Sequence, residues 1–323
     1  MSNKAPTVLE THSLQVGFRN RAGDKVLFEP LSLALNRGEL VCFMGLNGAG
    51  KTTLIKTLAG IHPPLEGVVT TTQSVAIVLT EKITGTQMTV RDLVTYGRYP
   101  YLDWWLTLSA HDQAIIERAI QQVNLSAIAD NQLSQVSDGQ LQMALIAKAL
   151  AQDAAILLLD EPTAHLDLNN RVEIMNLLRN LAHRAGKTIL VATHELDLAL
   201  QTADKIWLAT PNKKIITGVP EDLVLDGSFD SVFQLKGFDL KTGKITHQAY
   251  RPLSIALEGS SHEFLWTKNA LERCGYKISS ESSLHLAVGI NKEQLHFTIS
   301  AHEATHTVST LKELLEYLAK VDQ

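Results

Sequence analysis

At 323 residues, with 45% hydrophobic and 20% charged residues, the chain has the composition of an ordinary globular protein with room for one large domain and a smaller one. A net charge of −5 excludes the broad basic footprint of a nucleic-acid binder, and two cysteines, Cys42 and Cys274, exclude a disulfide framework or a cysteine-rich metal cluster. The most apolar region, Ala144 to Leu159, is interrupted by Lys148, Gln152 and Asp153, so no stretch reads as a membrane span. Met1 to Pro6 reads as leading into a strand rather than an apolar signal core.

Thr7–Leu9 and Leu14–Val16 predict two strands, followed by a polar turn over Asn20–Lys25 and further strand from Val26 to Leu35. Phe18, just before the turn, either packs a core or offers a ring for a purine to stack on. Leu40–Met44 is a short apolar run suited to a buried strand. After it comes Gly45-Leu46-Asn47-Gly48-Ala49-Gly50-Lys51-Thr52-Thr53, which satisfies G-x-x-x-x-G-K-[ST] between a strand and a helix predicted over Thr52–Leu58. Glycines let the backbone wrap a phosphate so that its N–H groups and the helix N-terminus face the anion. In such a loop Lys51 neutralises the β- and γ-phosphates, and the Thr52 hydroxyl holds Mg²⁺.

His62–Gly67 is a turn-rich connection to a second buried strand, Val75–Leu79, which ends at Thr80-Glu81. From Met88 to Leu150 the pattern turns helical. Val90–Tyr96 reads as one helix, Ser109-Ala110-His111-Asp112 as the capping box of the next, and Ile116, Ile120 and Val123 as its buried face. Tyr96–Trp105 between them is dense in aromatics, which suits either a partner surface or the insertion's own small core.

Ile156–Leu159 is a buried strand that ends in Asp160-Glu161. A carboxylate there is suited to hold Mg²⁺ alongside Thr52 (Asp160), and its neighbour to polarise an attacking water as general base (Glu161). A helix over Arg171–Ala182 follows. Thr188–Ala192 is then a further buried strand ending at Thr193-His194-Glu195, which places His194 where parallel α/β sheets bind ligands. Ile206–Ala209 and Lys214–Gly218 predict a closing hairpin.

Taken in order, the phosphate loop, the helical insertion, Val136-Ser137-Asp138-Gly139-Gln140, Asp160-Glu161, Leu166-Asp167 and His194 resemble the ATP-binding subunits of ABC transporters over roughly residues 7–235. Tyr96-Gly97-Arg98-Tyr99-Pro100-Tyr101 is similar to the importer group for iron-siderophores, haem and cobalamin. The resemblance implies an α/β P-loop NTPase with an antiparallel β subdomain and a helical subdomain. It implies that Phe18 stacks on adenine and that Asn47, Gly48, Ala49, Gly50, Lys51, Thr52 and Thr53 hold ATP. Ser137, Gly139, Gln140 and Asp167 then meet ATP held by a second copy, Asp160 and Thr52 take Mg²⁺, Glu161 is catalytic, and His194 reaches the γ-phosphate. Further implications are a dimer that closes on ATP, membrane permease subunits with a substrate-binding protein beyond them, and a peripheral place on the cytoplasmic membrane face.

Two positions depart from the family pattern. Thr80 or Glu81 stands where a Mg²⁺-touching glutamine is usual, and Asp138 where glycine is usual; Asp138 is expected to point outward, away from phosphate charge. A soluble cassette acting on ribosomes or DNA is disfavoured by the single nucleotide domain and the acidic chain.

From residue 236 to 323 the resemblance ends and a small α+β domain is expected. It comprises a strand at Leu253–Leu257, a helix after the Ser260–Glu263 capping box, a hairpin of Leu284–Val288 with Leu295–Ile299, and an amphipathic helix over Thr310–Lys320. His302-Glu303-Ala304-Thr305-His306 is a literal H-E-x-x-H, the zinc-hydrolase pattern. It follows directly on a strand and is rich in β-branched residues, which suits a loop or strand better than the helix that motif needs.

Overall fold

The computed structural model describes residues 5–21, 23–79, 87–233, 238–240, 244–245, 249–259, 262–291, 294–301 and 304–321. The chain divides into two compact units, Met1–Gln234 and Leu235–Gln323.

The first unit opens with β1 (Thr7–Phe18), β2 (Lys25–Leu31) and β3 (Ala34–Asn36). The two strands expected in Thr7–Val16 are one long strand, with Ser13 at φ 47 and shifts in register along its pairings. The single strand expected over Val26–Leu35 is instead two. Thr11 holds the break, its hydroxyl donating to Leu31 O (3.2 Å) and accepting from Leu33 N (2.8 Å). Next come β4 (Leu40–Met44), α1 (Lys51–Leu58), β5 (Glu66–Thr71) and β6 (Val75–Val78). β2, β3 and β5 all pair antiparallel with β1.

The helical insertion holds α2 (Val90–Thr95), α3 (Ala110–Gln122) and α4 (Asp138–Ala151). The capping box at Ser109 and Asp112 is formed. Its aromatic stretch divides between the interior and the surface. Gly97 and Arg98 are buried, with Arg98 paired to Asp112 at 2.8 Å and bonded to Ala151 O at 3.1 Å. Tyr99, Tyr101, Trp104 and Trp105 are exposed, Trp104 at 92%. A glycine is required at 97 because a Cβ there would lie 2.3 Å from Lys148 O.

The unit continues with β7 (Ile156–Asp160), α5 (Leu168–His183), β8 (Thr188–Ala192), α6 (Leu196–Thr202), β9 (Lys205–Ala209), β10 (Ile215–Gly218), α7 (Pro220–Leu225) and α8 (Ser228–Phe233). The central sheet runs β10-β9-β4-β8-β7-β6, parallel except for the β9–β10 hairpin at its edge. Every residue of β4, β7 and β8 is buried, as befits strands covered on both faces. One core joins the two sheets through α1, with Phe28 packed on Phe43 and Phe43 on Trp207.

The second unit contains the short β11 (Phe238–Asp239) and β12 (Lys244–Ile245), then β13 (Ser254–Glu258), α9 (His262–Arg273), β14 (Lys277–Ile278), β15 (Leu284–Asn291), β16 (Gln294–Ala301), β17 (Ala304–Val308) and α10 (Leu311–Val321). Its sheet runs β14-β13-β15-β16-β17 around a core of its own that includes Leu271, Phe297, Leu314 and Leu318. His302 and Glu303 lie outside the described residues. Ala304–His306 are strand, paired antiparallel with β16, so the helical H-E-x-x-H geometry of a zinc hydrolase is not formed. Among the described residues no group of three or more His, Cys, Asp or Glu is placed to hold a metal ion.

Candidate functional site

The site forms at the C-terminal ends of β4, β7 and β8. Sheet register sets these ends level, since Phe43 lies opposite Ala192 and Ala192 opposite Asp160. From β4 the chain enters the glycine loop, where Gly48 (φ 78) and Gly50 (φ 96) hold left-handed backbone that favours glycine. The buried Lys51 Nζ donates to Gly45 O at 2.9 Å and stands 3.7 Å from Glu161 Oε1.

Thr52 Oγ1 donates to Asp160 Oδ2 at 2.7 Å. Burial pushes the Asp160 carboxyl above its usual range, and the Thr52 hydrogen bond opposes that rise. Glu161 turns out of β7 at φ 50, an uncommon conformation for a side-chain-bearing residue, with its N–H bonded to Ala192 O at 2.9 Å. Its Oε2 lies 2.7 Å from His194 Nδ1, just beyond β8.

Phe18, Asn47, Gly48, Gly50, Lys51, Thr52, Thr53 and Glu161 line one cleft of about 360 Å³, together with Lys25 and Leu27. Phe18 is 40% exposed at the end of β1, its ring tilted against His62 at 5.0 Å. Ala49 faces a neighbouring depression with Leu46 and Thr210. A larger hollow of about 650 Å³ between the end of α3 and α5 is lined by Asn124, Asn169 and Asn176 among others, and holds neither a glycine loop nor a lysine-carboxylate pair.

The four residues expected to act on a second copy's ligand do not line the cleft. Ser137 caps α4, with Gln140 completing a capping box, and Asp167 caps α5 through Asn170 N. Gly139 packs so closely on Asn170 that a Cβ would lie 2.6 Å from its amide. Asp138 is exposed in the first turn of α4, where the helix dipole favours an acid. Thr80 and Glu81 lie outside the described residues.

Sequence reasoning missed Arg171 and Glu195. They form an ion pair at 2.8 Å, with Glu195 Oε1 3.7 Å from His194 Nε2. Adjacency to His194 was the signal for Glu195; nothing local signalled Arg171.

Residues 28–164 match the ABC transporter family model, and residues 252–319 match the iron ABC transporter C-terminal domain. An uncharacterised ABC transporter ATP-binding protein of Methanocaldococcus jannaschii is 36% identical over 75% of this chain and 89% of its own. The chain belongs to the ABC transporter ATP-binding family. An iron(3+)-hydroxamate import ATP-binding protein of Bacillus subtilis is 31% identical over 70% of this chain and 88% of its own. In fold, the chain is similar to a metal-chelate type ABC transporter solved in an inward-facing conformation. That likeness has a TM-score of 0.66 at 24% identity and covers 96% of this chain and 100% of that one. As an ABC ATPase the protein binds and hydrolyses ATP to drive transport. No helix among the described residues is long and apolar enough to cross a membrane.

Proposed function

We propose that this ATPase powers import of a chelated metal, of the iron-siderophore, haem or cobalamin class, from the cytoplasmic face of the membrane. The iron-transporter match of the second unit and the iron(3+)-hydroxamate relative support that cargo class. The hydrolytic reading rests chiefly on the convergence of Lys51, Thr52, Asp160, Glu161 and His194 around one glycine loop.

Adenine stacks on the exposed face of Phe18, and the loop amides from Asn47 to Thr53 take the phosphates. Lys51 exchanges its bonds to loop carbonyls for phosphate oxygens. The Thr52 hydroxyl and Asp160 carboxylate are hard oxygen donors 2.7 Å apart, the chemistry Mg²⁺ favours. Mg²⁺ at that pair supplies neutralisation of the phosphate charge. Glu161 takes the proton of the attacking water at a carboxylate oxygen, and His194 offers its second ring nitrogen to the terminal phosphate.

One chain supplies half of this arrangement. Ser137, Gly139, Gln140 and Asp167 sit away from its own cleft and serve the ATP of a second copy, so ATP favours the closed dimer. Asp138 points away from that phosphate. Permease subunits receive the motion, and a substrate-binding protein delivers cargo to them.

Glu161→Gln tests the hydrolytic reading. It keeps the side chain's shape but removes the base, and turnover is expected to fall by roughly 10²–10⁴ with ATP affinity retained. Turnover within a few-fold of the unmodified protein would remove Glu161 from the mechanism.

A further inference from the structure

We propose that Arg171 and Glu195 are a positioning pair that holds the His194 ring against Glu161 and ties it to the turn before α5. The inference rests on the reading of Glu161 and His194 just given.

The His194 side chain is 52% exposed at a strand end, so apolar packing does little to fix its ring. Its two nitrogens face two carboxylates instead. Nδ1 lies 2.7 Å from Glu161 Oε2, and Nε2 lies 3.7 Å from Glu195 Oε1. The first contact alone leaves the ring free to rock about one bond. The second limits that rocking and is loose enough to leave Nε2 available to a phosphate oxygen.

Glu195 can serve this way only if it is itself held, and the guanidinium of Arg171 holds it at 2.8 Å. The same guanidinium donates through Nε to Leu166 O at 2.6 Å, at the peptide just before Asp167. A planar fork spanning a carboxylate and a carbonyl is geometry that arginine provides and lysine does not. Asp167 is the residue read as meeting the second copy. Movement there is passed through Leu166 O, Arg171 and Glu195 to the His194 ring, so engagement of the second copy sets the aim of the histidine.

The alternative is that the ion pair only staples α5 to the chain after β8. Steady-state ATP hydrolysis by the full chain separates the two, using Arg171→Ala, Arg171→Lys, Glu195→Gln, His194→Ala and the double variant Arg171→Ala/His194→Ala. A positioning pair predicts about a tenfold loss of kcat for Arg171→Ala, since small misplacements cost one to two orders of magnitude. KM for ATP should stay within about threefold, because the loop contacts that bind ATP are intact. Arg171→Lys should recover part of the loss, and Arg171→Ala should cost nothing further in the His194→Ala background.

A full additional loss in that background would overturn the proposal, as would an unchanged kcat in the single variant. If Arg171→Ala does not fold, the nearly isosteric Glu195→Gln, alone and combined with His194→Ala, carries the same test. Near-normal turnover in His194→Ala alone would overturn the histidine's role and the pair with it, while Glu161→Gln still reports separately on the base.

Discussion

Gly139→Ala sets two effects of opposite sign against each other. Alanine in a helix is favoured over glycine by up to about 1 kcal/mol. Position 139 lies in the first turn of α4, however, and the added Cβ would sit 2.6 Å from both Cγ and Oδ1 of Asn170. Asn170 cannot swing aside freely, because its side-chain amide donates to Asp167 Oδ2 at 2.8 Å. Overpacking of this kind costs about 1–3 kcal/mol, and the lost hydrogen bond about another 0.5–1.5 kcal/mol. The clash should win, with a net destabilisation of about 1–3 kcal/mol, or a few degrees in Tm for a domain of this size. The decisive measurement is the double-mutant cycle with Asn170→Ala, read by thermal and urea unfolding. Removing the amide removes the atoms nearest the new methyl, so Gly139→Ala should become neutral or stabilising by up to about 1 kcal/mol. Equal destabilisation in both backgrounds would show that the close approach to Asn170 is not the reason for glycine here.

Two further outcomes follow from titratable groups. The Ser109 hydroxyl and amide, then Arg98, hold the Asp112 carboxyl down at about 2, against an ordinary 3.8. Its contribution to stability is therefore present above pH 3.8 and lost as pH falls through about 2. Ser109→Ala should move acid unfolding of the helical insertion up by a few tenths of a pH unit, followed by tryptophan fluorescence; an unmoved midpoint would refute the capping box as the cause. Cys42 is fully buried, and burial, helped by Asp204, pushes its thiol up to about 12. A thiol reagent should therefore label Cys42 only after unfolding, and fast labelling of Cys42 in the native protein would contradict that burial.

What the sequence disclosed depended on how far apart the interacting residues lie along the chain. Gly45–Thr53 and Asp160-Glu161 are readable because each is a contiguous pattern whose neighbours dictate strand, turn and helix. Ser109 with Asp112 is readable for the same reason, as are the hairpins of β9 with β10 and β15 with β16. The Arg98–Asp112 and Arg171–Glu195 pairs are not, because each needs two elements already packed. The aromatic stretch was only half legible, since composition does not say that Arg98 and Gly97 face inward while Trp104 and Trp105 face water. The break after β2 depends on the Thr11 hydroxyl, twenty residues away from the carbonyl it meets. In the second unit, β-branched residues pointed away from a helix at Ala304–Val308, and hairpin pairing decided for a strand.

The level ends of β4, β8 and β7 make the sheet a ruler. Neighbouring strands lie about 4.8 Å apart, so the loop strand and the carboxylate strand stand about 9.6 Å apart with β8 between them. Backbone pairing sets that width, and side-chain volume beneath it does not. Core substitutions under the sheet should therefore alter how firmly the protein holds together while leaving the span between Lys51 and Asp160 unchanged. A one-residue insertion in β8 would leave the composition of the site intact and put His194 out of line with Glu161. The spacing of the loop strand from the carboxylate strand is thus written in hydrogen-bond register, and evolution can vary the packing below it without retuning the chemistry above.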